Sequence, residues 1–545
     1  MTEQAKANLE NLYRIFTVPE APDSTLGRID QALTADLAGF LQQHIVATGC
    51  SLEEIERDFS STQIPEEPTF VSDYTEFVKN KLVAQSVHTA SPGFVGHMTS
   101  AMPYFMLPLS RILIALNQNT VKVETSKAFT PLERQVLAML HRLVFAQDDA
   151  FYQRYIHDSR CALGAFCSGG TIANTTALWL ARNRLCKPDG MFRGIAQEGL
   201  LRALQHLRCE GLVVLASRRA HYSLAKGVDL LGLGRDNLIP VETDENNRID
   251  LRSLRQHCQR LQDENKRVLA LVGIAGTTET GTVDPLDALA DLAAELECHF
   301  HVDAAWGGPT LFSQTHRGLL KGIERADSVT IDAHKQLYAP MGAGMVLFRD
   351  PRAVSAIEHH AAYILRPGSK DLGTHTLEGS RPGKALLVHA GLSIIGRKGY
   401  ELLIDQGIER ARHFADCIRA HPDFELVTAP ELNILTYRYN PAWSQQAMAQ
   451  ASQEQRRAAN VLLDQLTVTI QKAQREAGNT FVSRTRLEPA QYQGDSITVF
   501  RVVLANPLTT DALLEAVLAE QCGWARRFAE LLAPLQALQA GWRQA

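Results

Sequence analysis

The middle of the chain, from about residue 116 to residue 390, alternates short apolar runs with longer stretches of helical periodicity. The runs lie at 212–215, 268–272, 300–302, 328–331 and 345–348. The runs consist mostly of apolar or β-branched residues, which is typical of a strand covered on both faces. Strands of this kind alternating with helices predict an α/β domain with a mostly parallel central sheet and helices on both sides.

The rest of the chain predicts two further regions. A chain of 545 residues is too long for one compact core. Residues 1–115 show helical spacing without strand alternation, which predicts an N-terminal helical segment. Residues 391–545 alternate long amphipathic helices with a few strands, which is typical of a small α+β domain. We therefore expect three units, at 1–115, 116–390 and 391–545.

Charge and cysteine usage restrict the partners and the compartment. The net charge is −5 and the isoelectric point is near 6.4, so we expect neither a nucleic acid nor a membrane partner. The most apolar stretch, 104–116, contains Pro108 and Arg111 and is too short to span a bilayer. No apolar signal segment follows Met1, and the nine cysteines form no CxxC pair. A cytoplasmic protein with free thiols is the simplest expectation.

Two of the apolar runs end near side chains that suit one cofactor. The run that begins at His299 ends on Asp303, and the run 328–331 is followed by Asp-Ala-His-Lys at 332–335. Pyridoxal phosphate (PLP) requires an amine that holds its aldehyde as a Schiff base and a carboxylate that keeps its pyridine nitrogen protonated. Either residue alone is common. Together, in this order, they predict a PLP enzyme in which Lys335 is the amine and Asp303 the carboxylate.

A glycine-rich turn upstream predicts the phosphate site. Ser168, Gly169, Gly170 and Thr171 come directly before an apolar-periodic helix. Backbone N–H groups at a helix N-terminus, with the two hydroxyl groups, would bind a phosphate dianion. An ordinary helix-opening turn is the alternative for this motif alone, and Asp303 with Lys335 makes the phosphate site the better interpretation.

Three other positions lie where a cofactor could be reached. His221 follows the strand at 212–215 and is placed to stack on the pyridine ring, although a lone histidine is more often structural. Thr278 lies in a strand-end loop, and a simple turn is nearly as good an explanation for it. His334 is adjacent to Lys335 and within reach of the phosphate. The pair at 359–360 has no spaced cysteine or carboxylate partner, so we predict no metal site.

Together these motifs resemble the group II PLP-dependent amino-acid decarboxylases of fold type I, the family of the glutamate and aromatic amino-acid decarboxylases. The resemblance runs from about residue 90 to 510 and is strongest at 117–119, 130–133, 168–174, 221–223, 303–308 and 332–335, with a weaker match at 500–507. It implies that Lys335 forms the Schiff base, Asp303 pairs with the pyridinium nitrogen and His221 stacks on the ring. It also implies that Ala305 packs on the other ring face and that the phosphate is held by Ser168, Gly169, Gly170 and His334. A homodimer is implied as well, with the active site near the interface and residues 1–115 helping to clamp the chains.

Two segments, 91–103 and 376–383, resemble the branch of the family that decarboxylates aspartate at C1 to β-alanine, which supplies pantothenate and coenzyme A synthesis. In this interpretation Arg381 binds a substrate carboxylate with its planar fork, and His97 is a second substrate contact. A surface-loop arginine is the alternative for Arg381. Glutamate decarboxylation to 4-aminobutyrate, or another group II reaction, stays open because one methylene changes binding by only ~1–3 kcal/mol.

The sequence departs from the family at one functional position. Many members carry a tyrosine in a mobile loop that protonates the product carbanion, whereas 368–378 contains His375 and no tyrosine. His375 and Tyr363 are the candidates for this acid. An aminotransferase or a desulfurase is a rival within the fold, but no cysteine lies between Cys298 and Cys417 to serve a desulfurase.

Overall fold

The computed structural model describes residues 51–361 and 368–542. The first 50 residues of the predicted N-terminal segment, and Tyr363, lie outside the described residues. The strands are β1 (Gly164–Cys167), β2 (Gly211–Ser217), β3 (Leu238–Val241), β4 (Lys266–Ile274), β5 (His299–Asp303), β6 (Ser328–Asp332), β7 (Gly344–Phe348), β8 (Phe424–Thr428), β9 (Ile434–Tyr439), β10 (Ser483–Leu487) and β11 (Ile497–Val503).

The helices flank and connect these strands. They are α1 (Leu52–Asp58), α2 (Val71–Phe77), α3 (Met106–Leu116), α4 (Val123–Ser126), α5 (Phe129–Phe145), α6 (Asp149–Tyr155), α7 (Gly170–Leu185), α8 (Ile195–Leu207), α9 (Ser223–Leu230), α10 (Leu251–Asp263), α11 (Leu286–Glu295), α12 (Ala385–Ile394), α13 (Gly396–Ala420), α14 (Ala442–Gln450), α15 (Gln453–Ala477), α16 (Asp511–Arg527) and α17 (Ala529–Trp542). Within the described residues, no helix is both long and apolar enough to cross a bilayer.

The large sheet has seven strands in the order β1-β7-β6-β5-β4-β2-β3. Strands β3, β2, β4, β5 and β6 run parallel, and β7 is antiparallel to both of its neighbours. The predicted mostly parallel sheet is confirmed. The reversed strand makes β6 and β7 a hairpin, in which Asp332 pairs with Gly344. Residues 333–343, which include Lys335, are the connection of that hairpin.

Helices cover the sheet on both faces, as the mostly apolar strands require. On β2, Val213 and Leu215 belong to one hydrophobic cluster, which includes residues of α5 and α11. Their neighbours Leu212 and Val214 belong to another cluster, formed with α7 and α9. Because side chains alternate along a strand, every residue of β2 is buried.

A second sheet lies toward the C-terminus. It has the order β10-β11-β9-β8, with every pair antiparallel. Phe500 and Val502 of β11 pack against apolar residues of α13, α15 and α16. The boundary expected at residue 390 falls inside α12, and the division into three units stays a prediction.

Candidate active site

A cavity of about 400 Å³ opens at the carboxyl edge of the large sheet. Parallel strands end together at this edge, since Ile274, Asp303 and Thr330 are register partners on β4, β5 and β6. Ligands bind at this edge in open α/β sheets. The positions predicted for the cofactor all line the cavity: Ser168, Gly169, Gly170, Thr171, His221, Thr278, Asp303, Ala305, His334 and Lys335.

The turn before α7 forms a cradle that only glycine fits. A Cβ at Gly170 would lie 2.8 Å from Asp332 Oδ2, and a Cβ at Gly344 would lie 2.6 Å from Asp332 Oδ1. The backbone N–H of Ser168 donates to Glu378 Oε2 at 2.8 Å, so an anionic oxygen is bound at this turn. The cradle, and an N–H of Ser168 that here donates to a carboxylate oxygen, fit the phosphate group of PLP.

Lys335 points to a carboxylate in this cavity. Its Nζ lies 3.1 Å from Asp332 Oδ2, and the Lys335 side chain is 21% exposed while that of Asp332 is 3% exposed. Asp332 Oδ1 has no hydrogen-bond partner among the described residues. Sequence reasoning gave Asp332 no role, although its position three residues before the lysine at the end of β6 was the available signal.

Asp303 is a buried carboxylate held by neutral donors. Its Oδ2 accepts from Asn174 Nδ2 at 2.8 Å and its Oδ1 accepts from the backbone N–H of Ala305 at 3.1 Å. No ion pair to Asp303 occurs within residues 51–361 and 368–542. A buried carboxylate without a cation is costly, and a protonated pyridine nitrogen at this edge would supply the missing charge. This arrangement fits PLP.

His221 faces the cavity as a neutral ring. Burial lowers the pKa of His221, partly opposed by Asp303. Its Nδ1 accepts from the backbone N–H of Ser223 at 3.3 Å, which leaves the proton on Nε2. A neutral imidazole suits stacking on a cationic pyridine ring, the role implied by the family resemblance.

Arg501 is a buried cation beside the cavity that sequence reasoning missed. Its Nε donates to the carbonyl of Thr278 at 2.6 Å and its Nη1 to that of Gly96 at 3.3 Å, while Nη2 has no partner in the described part of the chain. Burial lowers the pKa of Arg501 to about 10, so it is charged at neutral pH. A single arginine inside the otherwise uncharged run 497–504 was the signal.

Two further basic side chains, His97 and Arg219, lie in the same part of the structure as Arg501. Partial burial lowers the pKa of His97, and the charges of Arg501 and Lys335 act in the same direction. Arg219 lines the cavity, but its guanidinium is matched by Glu279 at 2.9 Å and by a second carboxylate, that of Glu488, at 3.0 Å. Arg219 therefore has two carboxylate partners, whereas Arg501 has no carboxylate within ion-pair distance among the described residues.

Three residues predicted to act on the substrate, His97, Arg381 and His375, are absent from the lining of this cavity. Arg381 is buried and makes two hydrogen bonds, at 2.7 and 2.6 Å, to the carboxylate of Glu133. Burial acts to lower the pKa of Arg381, but Glu133 outweighs it and the pKa is raised. Since its fork is already occupied by an internal carboxylate, it is not free for a substrate in this conformation.

His375 lies in a separate small cavity with Glu133 and Arg134. Burial lowers the pKa of His375 to about 4, and its Nε2 has no partner among the residues described. A neutral, enclosed imidazole cannot deliver a proton at the large cavity unless the segment moves. The acid stays a prediction, with His375 and Tyr363 as the candidates.

Comparison with known proteins gives a consistent result. The family model described as the pyridoxal-dependent decarboxylase conserved domain matches residues 54–440. An aspartate 1-decarboxylase from Aliivibrio fischeri is 60% identical over 517 residues, which are 95% of this chain and 94% of that protein. A cysteine sulfinic acid decarboxylase from Mus musculus is 30% identical over 446 residues, 81% of this chain and 83% of that protein.

The fold is also found in solved structures. The glutamate decarboxylase domain of the diaminobutyrate-pyruvate transaminase and L-2,4-diaminobutyrate decarboxylase from Vibrio parahaemolyticus superposes with a TM-score of 0.79. The match covers 96% of this chain and 100% of that one at 21% identity, a likeness of fold.

Proposed function

We propose that this chain, which belongs to the pyridoxal-dependent decarboxylase family and is a PLP-dependent carboxy-lyase, removes the C1 carboxylate of L-aspartate to give β-alanine and CO₂. The observation that carries the substrate assignment is the similarity to the Aliivibrio aspartate 1-decarboxylase over nearly the whole of both chains. β-Alanine made in this way would supply pantothenate and coenzyme A synthesis.

Each of these cavity residues has a separate proposed role toward the cofactor. Bound PLP with a protonated ring nitrogen withdraws electrons from the substrate Cα, so that the carboxylate can leave as CO₂. Lys335 would supply the amine that holds the cofactor, and Asp303 would keep the ring nitrogen protonated. The turn at 168–171 would hold the phosphate, and His221 would lie against the ring. Ala305 and Trp306 supply buried apolar surface to the cavity.

Arg501 is the best-placed partner for a substrate carboxylate. Aspartate carries two carboxylates, and burying either one without a cation is costly. Within the described residues beside the cavity, Arg501 combines burial and positive charge with the absence of a carboxylate partner, whereas Arg219 is paired with Glu279 and Glu488. Its planar guanidinium binds carboxylates in a way that an ammonium group does not.

Product identity tests the substrate assignment directly. Purified enzyme loaded with PLP is incubated with equimolar aspartate and glutamate, and the products are measured by mass. We expect β-alanine to predominate. A predominance of 4-aminobutyrate would overturn the substrate while leaving the decarboxylase class intact.

A matched pair of variants tests Arg501. Arg501→Lys should lower kcat/KM for aspartate by about 10–100-fold, as expected for one charge-assisted hydrogen bond. Arg486→Lys is the control, since Arg486 lies on the neighbouring strand β10 and is 60% exposed. If both variants keep wild-type kcat/KM, Arg501 does not bind the substrate.

We further propose a cytoplasmic homodimer in which residues 1–115 help to clamp the two chains. On α3, the apolar side chains of Leu107, Ile112 and Ile114 are exposed, and a partner chain would cover them. The eight cysteines in the described part of the chain are all free thiols, which fits a reducing compartment. Sedimentation with activity detection tests the dimer, and a fully active monomer would contradict it.

A further inference from the structure

A row of buried polar side chains connects Asp303 to the opposite end of its own strand. Asn174 Nδ2 donates to Asp303 Oδ2 at 2.8 Å, and Asn174 Oδ1 lies 3.1 Å from His301 Nε2. His301 Nδ1 lies 2.8 Å from Ser328 Oγ, which in turn lies 2.7 Å from His299 Nε2. The row spans β5 from its last residue to its first, a distance of about 13 Å.

Each hydrogen bond in this row has one possible direction. The amide of Asn174 donates to Asp303 and to Ser223 Oγ at 2.9 Å, so its oxygen can only accept. His301 must therefore donate from Nε2. Burial lowers the pKa of His301 to about 4, so the ring is neutral and its Nδ1 accepts from the Ser328 hydroxyl.

The direction continues to the outer end of the row. Because the Ser328 hydroxyl donates its hydrogen to His301 Nδ1, the hydroxyl oxygen accepts from His299 Nε2. Burial lowers the pKa of His299, which leaves Nδ1 unprotonated 4.0 Å from Asp327 Oδ2. The Asp327 carboxylate accepts hydrogen bonds from the backbone N–H of Phe300 at 2.9 Å and from the Arg349 guanidinium at 2.9 Å. Every donor from His299 inward points toward Asp303.

Such a row is unusual for a buried strand face. On the other face of β5, Phe300 and Val302 are apolar and belong to the main hydrophobic cluster. Side chains that only filled space at 299 and 301 would avoid the cost of burying two imidazoles. Aligned hydrogen bonds strengthen one another in a low-dielectric interior, and donors to a carboxylate stabilise its negative charge.

We infer that Asn174 and His301, oriented by Ser328 and His299, are positioning residues that hold the Asp303 carboxylate in place and charged for the cofactor ring nitrogen. This inference rests on the proposed role of Asp303. The residues of the row act through Asp303, and His301, Ser328 and His299 are absent from the cavity lining.

The first test uses the protein without cofactor. The ¹⁵N chemical shifts of the histidine side chains, assigned with His301→Gln, report which ring nitrogen carries the proton. We expect His301 to be neutral at pH 7 with its proton on Nε2. A proton on Nδ1, or a doubly protonated ring, would overturn the direction of the row.

The second test measures the ring nitrogen of bound ¹⁵N-labelled PLP. Ser328→Ala and His301→Leu should each lower the pKa of that nitrogen by at least about one unit, a tenfold change in its protonation equilibrium. His301→Gln should retain the wild-type value, because the glutamine amide can donate to Asn174 from the position of Nε2. If His301→Leu does not fold, Ser328→Ala and His301→Gln decide the outcome.

Two further variants, Thr330→Val and Asp303→Asn, distinguish failure of this inference from failure of the proposed role of Asp303. Thr330 is buried on the same strand as Ser328, and its hydroxyl has no hydrogen-bond partner in the described residues, so Thr330→Val should leave the ring nitrogen unchanged. If Asp303→Asn deprotonates the nitrogen but Ser328→Ala and His301→Leu do not, the row has no positioning role. If Asp303→Asn leaves it protonated, the proposed role of Asp303 itself fails.

Discussion

Replacing Arg381 with methionine should destabilise the fold and leave substrate binding intact. The Arg381 side chain is 6% exposed and that of Glu133 is 1% exposed, and the two groups share two short hydrogen bonds. Methionine fills much of the arginine volume but leaves the Glu133 carboxylate buried without a partner. Removing one member of such a pair costs about 3–5 kcal/mol of the free energy of unfolding.

A double variant sharpens this prediction. Arg381→Met combined with Glu133→Leu removes both charges, and apolar replacements of a buried pair are often nearly neutral, so most of the lost stability should return. The measurement is the urea midpoint by circular dichroism, with KM for aspartate on the same samples. Arg255→Met is the control, since Arg255 pairs with Glu295 on the surface and its loss should not shift the midpoint.

The opposite result would restore the sequence-based assignment. If Arg381→Met unfolds at the wild-type urea concentration and KM for aspartate rises, Arg381 binds the substrate and its contact with Glu133 does not persist in the working enzyme. A midpoint shift that the double variant fails to reverse would refute the ion-pair reasoning in a different way, because the cost would then come from lost packing.

Three further predictions follow from the site and the core. Borohydride should attach PLP to Lys335 and to no other lysine, and Lys335→Ala should abolish turnover; a label elsewhere would refute the assignment. Gly170→Ala should weaken PLP binding about tenfold in fluorescence titration, because its Cβ would lie 2.8 Å from Asp332 Oδ2, whereas Gly523→Ala, which meets no atom within 4 Å, should not. Burial lowers the pKa of His141 from 6.5 to about 4. As the pH falls through this window only the unfolded chain gains that proton, so this histidine's contribution to stability is complete above pH 6.5 and is lost at about 1.4 kcal/mol per pH unit down to pH 4. Urea midpoints between pH 7 and pH 4.5, compared with those of His141→Gln, check the slope; identical slopes would contradict it.

The apolar runs were sufficient to predict the sheet, but short or edge strands were not visible in the sequence. β1 consists of Gly, Ala, Phe and Cys, which have little strand preference apart from Phe, and it forms because it pairs with β7. β3 contains Pro240, which an edge strand tolerates. Both strands depend on tertiary pairing that no local pattern contains.

The same limit applies to the site. The cavity positions at 168–171, Asp303 and Lys335 could be predicted because they lie near the end of a strand or the start of a helix, whereas Ala305 was placed by the family resemblance alone. Arg381 was expected to be free because its loop is rich in glycine and proline, while its partner Glu133 lies 248 residues away in the chain. Whether an arginine has a carboxylate partner depends on contacts with residues that are distant in the chain. For the same reason, the sequence did not single out Arg501.

The β6–β7 hairpin has a kinetic consequence for the lysine at its centre. The backbone N–H of Lys335 donates to the carbonyl of Asp332, and its carbonyl accepts from the N–H of Tyr338, while His334 is bonded to Ala343 across the loop. The amine therefore moves only by rotation of its own side chain, which keeps its effective concentration at the cavity high. If Lys335 holds the cofactor as proposed, its recapture after each turnover would be an intramolecular event. The reversed strand would then favour retention of the cofactor over many cycles.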